Sequence, residues 1–180
     1  MNRARSAVGA SVGAEPRVVD AVVGLGANLG DAVATLTAAR RALRALPETS
    51  LVRSSSLYRT APVGFQDQPD FLNAVCWLKT ALLAPVLAAE LFALERALGR
   101  VRTAVRDGPR VIDLDLLYYE GVASDGPDLH LPHPRLHERA FVLYPWVEIM
   151  PDFTVPGHGA LRDLCGQAQG QRVERLQTVW

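Results

Sequence analysis

An α+β fold with a mostly antiparallel sheet and packed helices is predicted by three features of this sequence. Strand-like and helix-like segments follow in the order strand, helix, strand, strand, helix, strand. The two helical segments carry apolar residues at helical spacing. The strand segments are short apolar runs bounded by glycine and proline. That order is ferredoxin-like, and such a sheet is expected to carry its helices on one face.

Residues 18–25 read as the first strand. Gly24, Gly26 and Gly30 predict a tight turn after it, with Asn28 or Asp31 available to cap a helix. Residues 31–46 follow with Val33, Leu36, Leu43 and Leu46 on one stripe, and Pro47 ends the run. Residues 51–59 predict the second strand and residues 71–80 the third. Between them, residues 60–70 hold Pro62, Gly64 and Pro69, a loop long enough to be functional. Pro85 suits a first helical residue and Gly99 a C-terminal cap, with Val86, Leu87, Leu91, Leu94 and Leu98 between them. Residues 110–118 form the last strand, and helical patches are expected near 135–149 and 160–165.

The chain has 180 residues, 49% hydrophobic and 21% charged, which suits one globular domain over 18–180. Residues 1–17, rich in Ala, Gly, Ser and Arg, read as a flexible tail without the apolar centre of a signal peptide. The net charge is zero, which argues against a broad grip on nucleic acid. No apolar run approaches the roughly 18 residues of a membrane span. Cys76 and Cys165 make no disulfide framework, so a reduced cytoplasmic setting is expected.

The chemistry concentrates at Asp113 and Asp115. In a strand they project from one face, about 7 Å apart, while Ile112, Leu114 and Leu116 fill the other. Two carboxylates in an apolar strand are costly unless neutralised. Mg²⁺, a hard cation, is a common partner for such oxygens. A strand with one solvated face accounts for a bare Asp-x-Asp equally well, but the preceding residues shift the balance. Arg100, Arg102, Arg106 and Arg110 crowd one short loop, opposed only by Asp107. Carboxylates beside an arginine-rich loop suggest a polyphosphate site.

Other motifs weigh less. Gly24, Gly26 and Gly30 sit where a dinucleotide fingerprint would, but the last gap is one residue too long and no acid ends the next strand. A turn needing glycine for backbone shape is the simpler reading. His133 and His137 have a helical metal-binding spacing, which Pro132 and Pro134 oppose. Phe71 and Asn73 share a strand face, where a ring and an amide can stack a flat heterocycle and read its edge.

Taken together, these segments resemble the 6-hydroxymethyl-7,8-dihydropterin pyrophosphokinase family. The resemblance runs from about residue 20 to 155. It rests on Gly24-Leu-Gly-Ala-Asn-Leu-Gly30, Ser56-Leu-Tyr-Arg-Thr60, Gln66-Asp-Gln-Pro-Asp-Phe-Leu-Asn73 and Leu98-Gly-Arg-Val-Arg102. It continues through Gly108-Pro-Arg-Val-Ile-Asp-Leu-Asp115 and Pro132-His-Pro-Arg-Leu-His-Glu-Arg-Ala-Phe141. The resemblance implies diphosphate transfer from ATP to the hydroxymethyl oxygen of a reduced pterin, releasing AMP, by a monomeric enzyme. It implies two Mg²⁺ ions on Asp113 and Asp115, and phosphate contacts from Arg100, Arg102, Arg110, His133 and Arg139. Glu95 and the Leu116 backbone fall where the family binds the nucleoside. The pterin is expected between Phe71 and Phe141, its edge met by Asn73 and by backbone at Thr60 and Val63. The segment from Arg100 to Arg110 is expected to close over bound substrates. Three positions depart from relatives: Asp107 stands where some carry an aromatic residue, Phe92 where some carry glutamine, and Ala61 where some carry proline. From the residues themselves, a metal-dependent nucleotide-sugar transferase and a non-catalytic pterin- or nucleotide-binding module are the rival readings.

Overall fold

The computed structural model describes residues 17–101, 107–127 and 129–180. In chain order the elements are β1 (Val19–Ala27), α1 (Ala32–Arg44), β2 (Thr49–Ser54), β3 (Tyr58–Thr60), β4 (Phe71–Thr80), α2 (Ala84–Ala97) and β5 (Asp113–Tyr119). Then come β6 (Ser124–Asp125), β7 (His130–Leu131), a 3-10 turn (Leu136–Glu138) and α3 (Ala140–Ile149). The last are β8 (Thr154–Val155), β9 (Gly159–Ala160), α4 (Leu161–Gln167) and β10 (Val173–Arg175). The main sheet runs β10-β3-β4-β1-β5, with β2 also on β4, and every pairing within it is antiparallel. The ferredoxin-like order is as expected.

The placement of helices is not. α1 and α2 cover one face, where Leu36, Leu43, Leu87 and Leu91 meet Val23, Leu25, Cys76 and Leu78. α3 and α4 cover the other, where Leu143, Trp146, Leu161 and Leu164 meet Val22, Val75 and Leu117. The reason lies in β1 and β4, which are apolar almost throughout rather than at alternate positions. A sheet with such strands must be buried on both sides.

The expected second strand is also divided. β2 pairs with the distal half of β4 and β3 with its first residues. Across the break, the Ser55 N–H donates to the Val75 carbonyl at 2.9 Å and the Val75 N–H to Ser55 Oγ at 3.0 Å. The ladder is thereby satisfied where the strand bends. β10, which the sequence did not suggest, closes the sheet beyond β3.

α1 is capped by Asp31, whose Oδ1 accepts the Ala34 N–H at 3.0 Å. Pro85 lies in the first turn of α2, as expected. The helix buries Leu87, Leu91 and Glu95 at successive four-residue steps, so a carboxylate continues its apolar stripe. Among the described residues, no helix is long and apolar enough to cross a membrane. The expected tail lies outside the described residues except for Arg17, which pairs with Glu120 at 2.8 Å.

Candidate active site

The register of three central strands builds the floor of the site. Gly26 faces Asn73 of β4 on one side and Asp113 of β5 on the other. Gly24 faces Val75 and Asp115 in the same way. A Cβ on Gly26 would stand 3.0 Å from Asn73 Oδ1, and one on Gly24 would stand 3.2 Å from the Leu117 side chain. Both glycines belong to the strand, not to the turn predicted for them, and their role is to keep this face low. Of the three glycines in this motif, Gly30 is the one that needs glycine for backbone shape, with φ of +65°. Strand spacing puts the Asn73 and Asp113 positions roughly 10 Å apart across the floor.

Two recesses open over this floor. One is lined by Gly24, Gly26, Thr60, Val63, Phe71, Asn73 and Phe141. The other lies between α2 and β5, against Phe92, Glu95, Arg100, Leu116 and His133. Asp107, Arg110, Asp113, Asp115 and Arg139 line both, so the carboxylates and two arginines stand where the recesses meet. The structure therefore brings together the predicted site residues that it describes. Arg102 and the middle of the arginine loop lie outside the described residues.

The charges are closely matched. Arg100 donates from one Nη1 to both Glu95 and Asp113. Arg110 Nε lies 3.0 Å from Asp113 Oδ2. Glu95, 2% exposed, also accepts the Leu114 N–H at 2.7 Å, which ties α2 to the start of β5. Burial pushes the Glu95 carboxyl up, against the pull of that N–H and of Arg100. Burial and the Asp113 charge push the Asp115 carboxyl up to about 7, with Arg139 and Arg110 opposing. Burial and the Arg139 charge lower the His133 imidazole to about 4. Two carboxylates this close in a half-buried site call for a cation. Among the described residues, no cluster of three or more His, Cys, Asp or Glu could hold a metal by itself. A carboxylate pair nonetheless fits Mg²⁺, which takes the rest of its shell from water and phosphate. His137 stacks on His158 with ring centroids 4.2 Å apart.

The aromatic side of the first recess carries cations as well. The Arg110 guanidinium lies 5.0 Å from the Phe71 ring centre and that of Arg139 lies 5.5 Å from the Phe141 ring centre. Asn73 is buried, and its Nδ2 donates to Thr60 Oγ1 at 2.8 Å, which orients Oδ1 over Gly26.

Sequence reasoning missed Asn28 and Gln68. The Asn28 Oδ1 accepts the Arg110 N–H at 2.8 Å and its own N–H donates to the Arg110 carbonyl at 3.0 Å. Its Nδ2 donates to Gln68 Oε1 at 2.9 Å, and Gln68 Nε2 donates to the Asp107 carbonyl at 2.9 Å. The turn after β1 and the loop before β4 thus hold the base of the arginine loop. In the sequence Asn28 reads only as a helix cap, because nothing local links it to a residue 82 positions away.

The sequence profile described as 7,8-dihydro-6-hydroxymethylpterin-pyrophosphokinase (HPPK) matches residues 22–151, the span that builds both recesses. The chain belongs to the HPPK family. It is 43% identical over 157 residues to the 2-amino-4-hydroxy-6-hydroxymethyldihydropteridine pyrophosphokinase of Methylorubrum extorquens, covering 87% of this chain and 98% of that one. It is 42% identical over 154 residues to the protein of the same name from Pseudomonas aeruginosa, covering 86% and 94%. In fold it resembles solved HPPK-DHPS chains. One, in complex with substrates, superposes with a TM-score of 0.63 at 12% identity. The wild-type Plasmodium falciparum HPPK-DHPS with pteroate superposes with a TM-score of 0.64 at 14% identity. This HPPK chain spans 43% and 42% of those two chains.

Proposed function

We propose that the chain transfers diphosphate from ATP to the hydroxymethyl oxygen of 6-hydroxymethyl-7,8-dihydropterin, releasing AMP, as the folate-pathway step of the HPPK family. The observation that carries this reading is the shared wall: Asp113, Asp115, Arg110 and Arg139 line both recesses. A β-phosphorus must be reached from both sides at once, by the pterin oxygen and the departing AMP.

ATP lies in the recess between α2 and β5, with Glu95 and the Leu116 backbone toward the nucleoside. Arg100, Arg110, Arg139 and His133 face the phosphates, joined by Arg102 from the arginine loop. Arginine forks suit this role because they match phosphate oxygens two at a time. The pairs of Arg100 and Arg110 with Glu95 and Asp113 keep them oriented in the site. The neutral imidazole of His133 donates one hydrogen bond without adding to the crowded positive charge. Asp113 and Asp115 would hold two Mg²⁺ ions, which when bound would supply charge neutralisation to the phosphates and the leaving oxygen. The pterin stacks between Phe71 and Phe141, and Asn73 Oδ1 accepts from its amino edge. Backbone at Thr60 and Val63 completes that edge. The enzyme works as a cytoplasmic monomer with one domain over 18–180, binding neither nucleic acid nor membrane.

One assay tests the reading. With ATP, Mg²⁺ and the hydroxymethyl pterin, the protein should yield AMP and a pterin diphosphate. Asp113→Ala and Asp115→Ala should each lose most turnover while remaining folded. ADP as the product would overturn the reaction, and near-normal activity of either variant at limiting Mg²⁺ would overturn the metal role.

A further inference from the structure

The pterin recess has two walls from distant parts of the chain. One is the start of α3, with Arg139, Phe141 and Val142. The other runs from the end of β3 through its following loop to the start of β4, with Thr60, Ala61, Val63 and Phe71. Between the two walls runs the turn that leads into β10, where Val173 pairs with Thr60. This turn lies beyond residue 151, outside the span matched by the family profile.

Two adjacent residues of the turn reach in opposite directions. The Gln171 carboxamide spans the backbone on either side of Arg139. Its Oε1 accepts the Ala140 N–H at 3.1 Å, and its Nε2 donates to the Glu138 carbonyl at 2.7 Å. Arg139 is the N-cap of α3, and no local side chain caps that helix. The N–H groups of a first helical turn have no partner within the helix. Gln171 supplies one from 31 residues away. Arg172 turns to the other wall. Its carbonyl accepts the Ala61 N–H at 3.4 Å and its guanidinium pairs with Asp70 at 2.5 Å, next to Phe71.

We infer that Gln171 is a positioning residue for the pterin site, and that with Arg172 it forms a strap setting the distance between the Phe141 and Phe71 walls. The inference rests on the pterin reading above. Gln171 touches neither substrate. It acts by fixing the extended Arg139 backbone, which has φ of −106° and ψ of 100°, between two hydrogen bonds. From that backbone the Arg139 guanidinium points to the phosphates and, two residues on, Phe141 points to the pterin. A carboxamide is required because one end must accept and the other donate. Glutamate keeps only the accepting half, and alanine keeps neither.

The test uses the full-length protein with Mg²⁺, ATP and the hydroxymethyl pterin. Gln171→Ala should raise the KM for pterin about tenfold and lower kcat, within the ~100-fold that an ångström of misplacement costs a positioned site. The Kd for MgATP should rise less than the pterin KM, since Arg139 is one of several phosphate contacts and the α2 side of the nucleotide recess does not depend on the strap. Hydrogen exchange at the Ala140 amide should quicken in Gln171→Ala. It should remain slow in Gln171→Glu, whose pterin KM should rise less. If Gln171→Ala does not fold, the Gln171→Glu values carry the test, because that variant still loses the donor to Glu138. An Ala140 amide that exchanges freely while both pterin parameters stay normal would overturn the inference by making the contact purely structural. Unchanged Ala140 exchange in a folded Gln171→Ala would overturn it by removing the contact, and an unchanged pterin KM in Gln171→Glu would overturn it when only that variant folds. Phe141→Leu is measured beside them. If it too leaves pterin binding unchanged, the pterin reading itself fails; if it alone weakens binding, only the strap fails.

Discussion

Removal of the Phe141 ring tests the pterin recess most directly. Stacking a heterocycle on an aromatic side chain contributes about 1–3 kcal/mol. Here the gain is partly offset. Arg139 lines the same recess with its guanidinium 5.5 Å from the Phe141 ring centre, so a stacked pterin displaces it. That cation–π contact is worth about 0.5–1 kcal/mol. With mid-range values of about 2 and about 0.75 kcal/mol, the net loss for Phe141→Leu is about 1.2 kcal/mol, roughly an eightfold rise in the pterin Kd. Leucine is chosen over alanine because Phe141 also packs against the Trp146 core, and an aliphatic side chain keeps most of that contact. Phe141 does not line the nucleotide recess, so the Kd for MgATP should stay within about twofold. Calorimetric titration of the pterin, with Mg²⁺ and a non-hydrolysable ATP analogue present, reads the pterin value, and titration of the analogue alone reads the other. A thermal melt checks the fold. An unchanged pterin Kd in a folded variant would refute the stacking argument, and an equal loss of both ligands would point to general damage instead.

Two further outcomes concern the charged groups. The Glu148 carboxylate accepts from Ser56 N–H at 3.0 Å, Ser56 Oγ at 2.8 Å, Tyr58 OH at 2.9 Å and Arg175 Nη2 at 3.0 Å, joining α3 to β3 and β10. Glu148→Ala leaves the buried Tyr58 hydroxyl and the Ser56 N–H without this partner, so urea denaturation should show a loss of about 2–4 kcal/mol. A loss below that shown by a surface control would remove the network from the account of stability. The second outcome concerns pH. The folded protein holds His133 at about 4, below the 6.5 of a free imidazole. Between those values the unfolded chain binds the extra proton, so this group leaves stability untouched above pH 6.5 and lowers it as pH falls toward 4. Asp115, held at about 7, acts in the opposite sense as pH falls from 7 toward its unfolded value. The difference between wild-type and His133→Gln stability curves isolates the imidazole. It should be flat above pH 6.5 and favour the variant increasingly below it; a flat difference throughout would show that His133 titrates normally.

The sequence by itself determined the strand and helix order and the shared strand face of Asp113 and Asp115. Those readings rest on local physics. Side-chain alternation put Asp113 and Asp115 on one face of a strand whatever that strand paired with. Pro85 and Asp31 marked helix starts through their own backbone and side-chain chemistry. The near-continuous apolar run of residues 71–78 also carried the two-sided burial of the sheet, though the four-strand order alone suggested one covered face.

Tertiary structure decided what depended on register and on distant partners. Glycines that read as a turn became the floor of a recess once β1 was seen between Asn73 and Asp113. Glu95 fell on an apolar helical stripe, and only the fold supplied the Leu114 N–H and Arg100 that make its burial tolerable. Asn28, Gln68 and Gln171 gave no local signal, because an amide's role is set by which backbone groups the fold leaves unpaired within its reach. Periodicity reports which way a side chain faces. It does not report what stands opposite, and in this protein the meeting of the two recesses depends on partners that only the folded chain brings together.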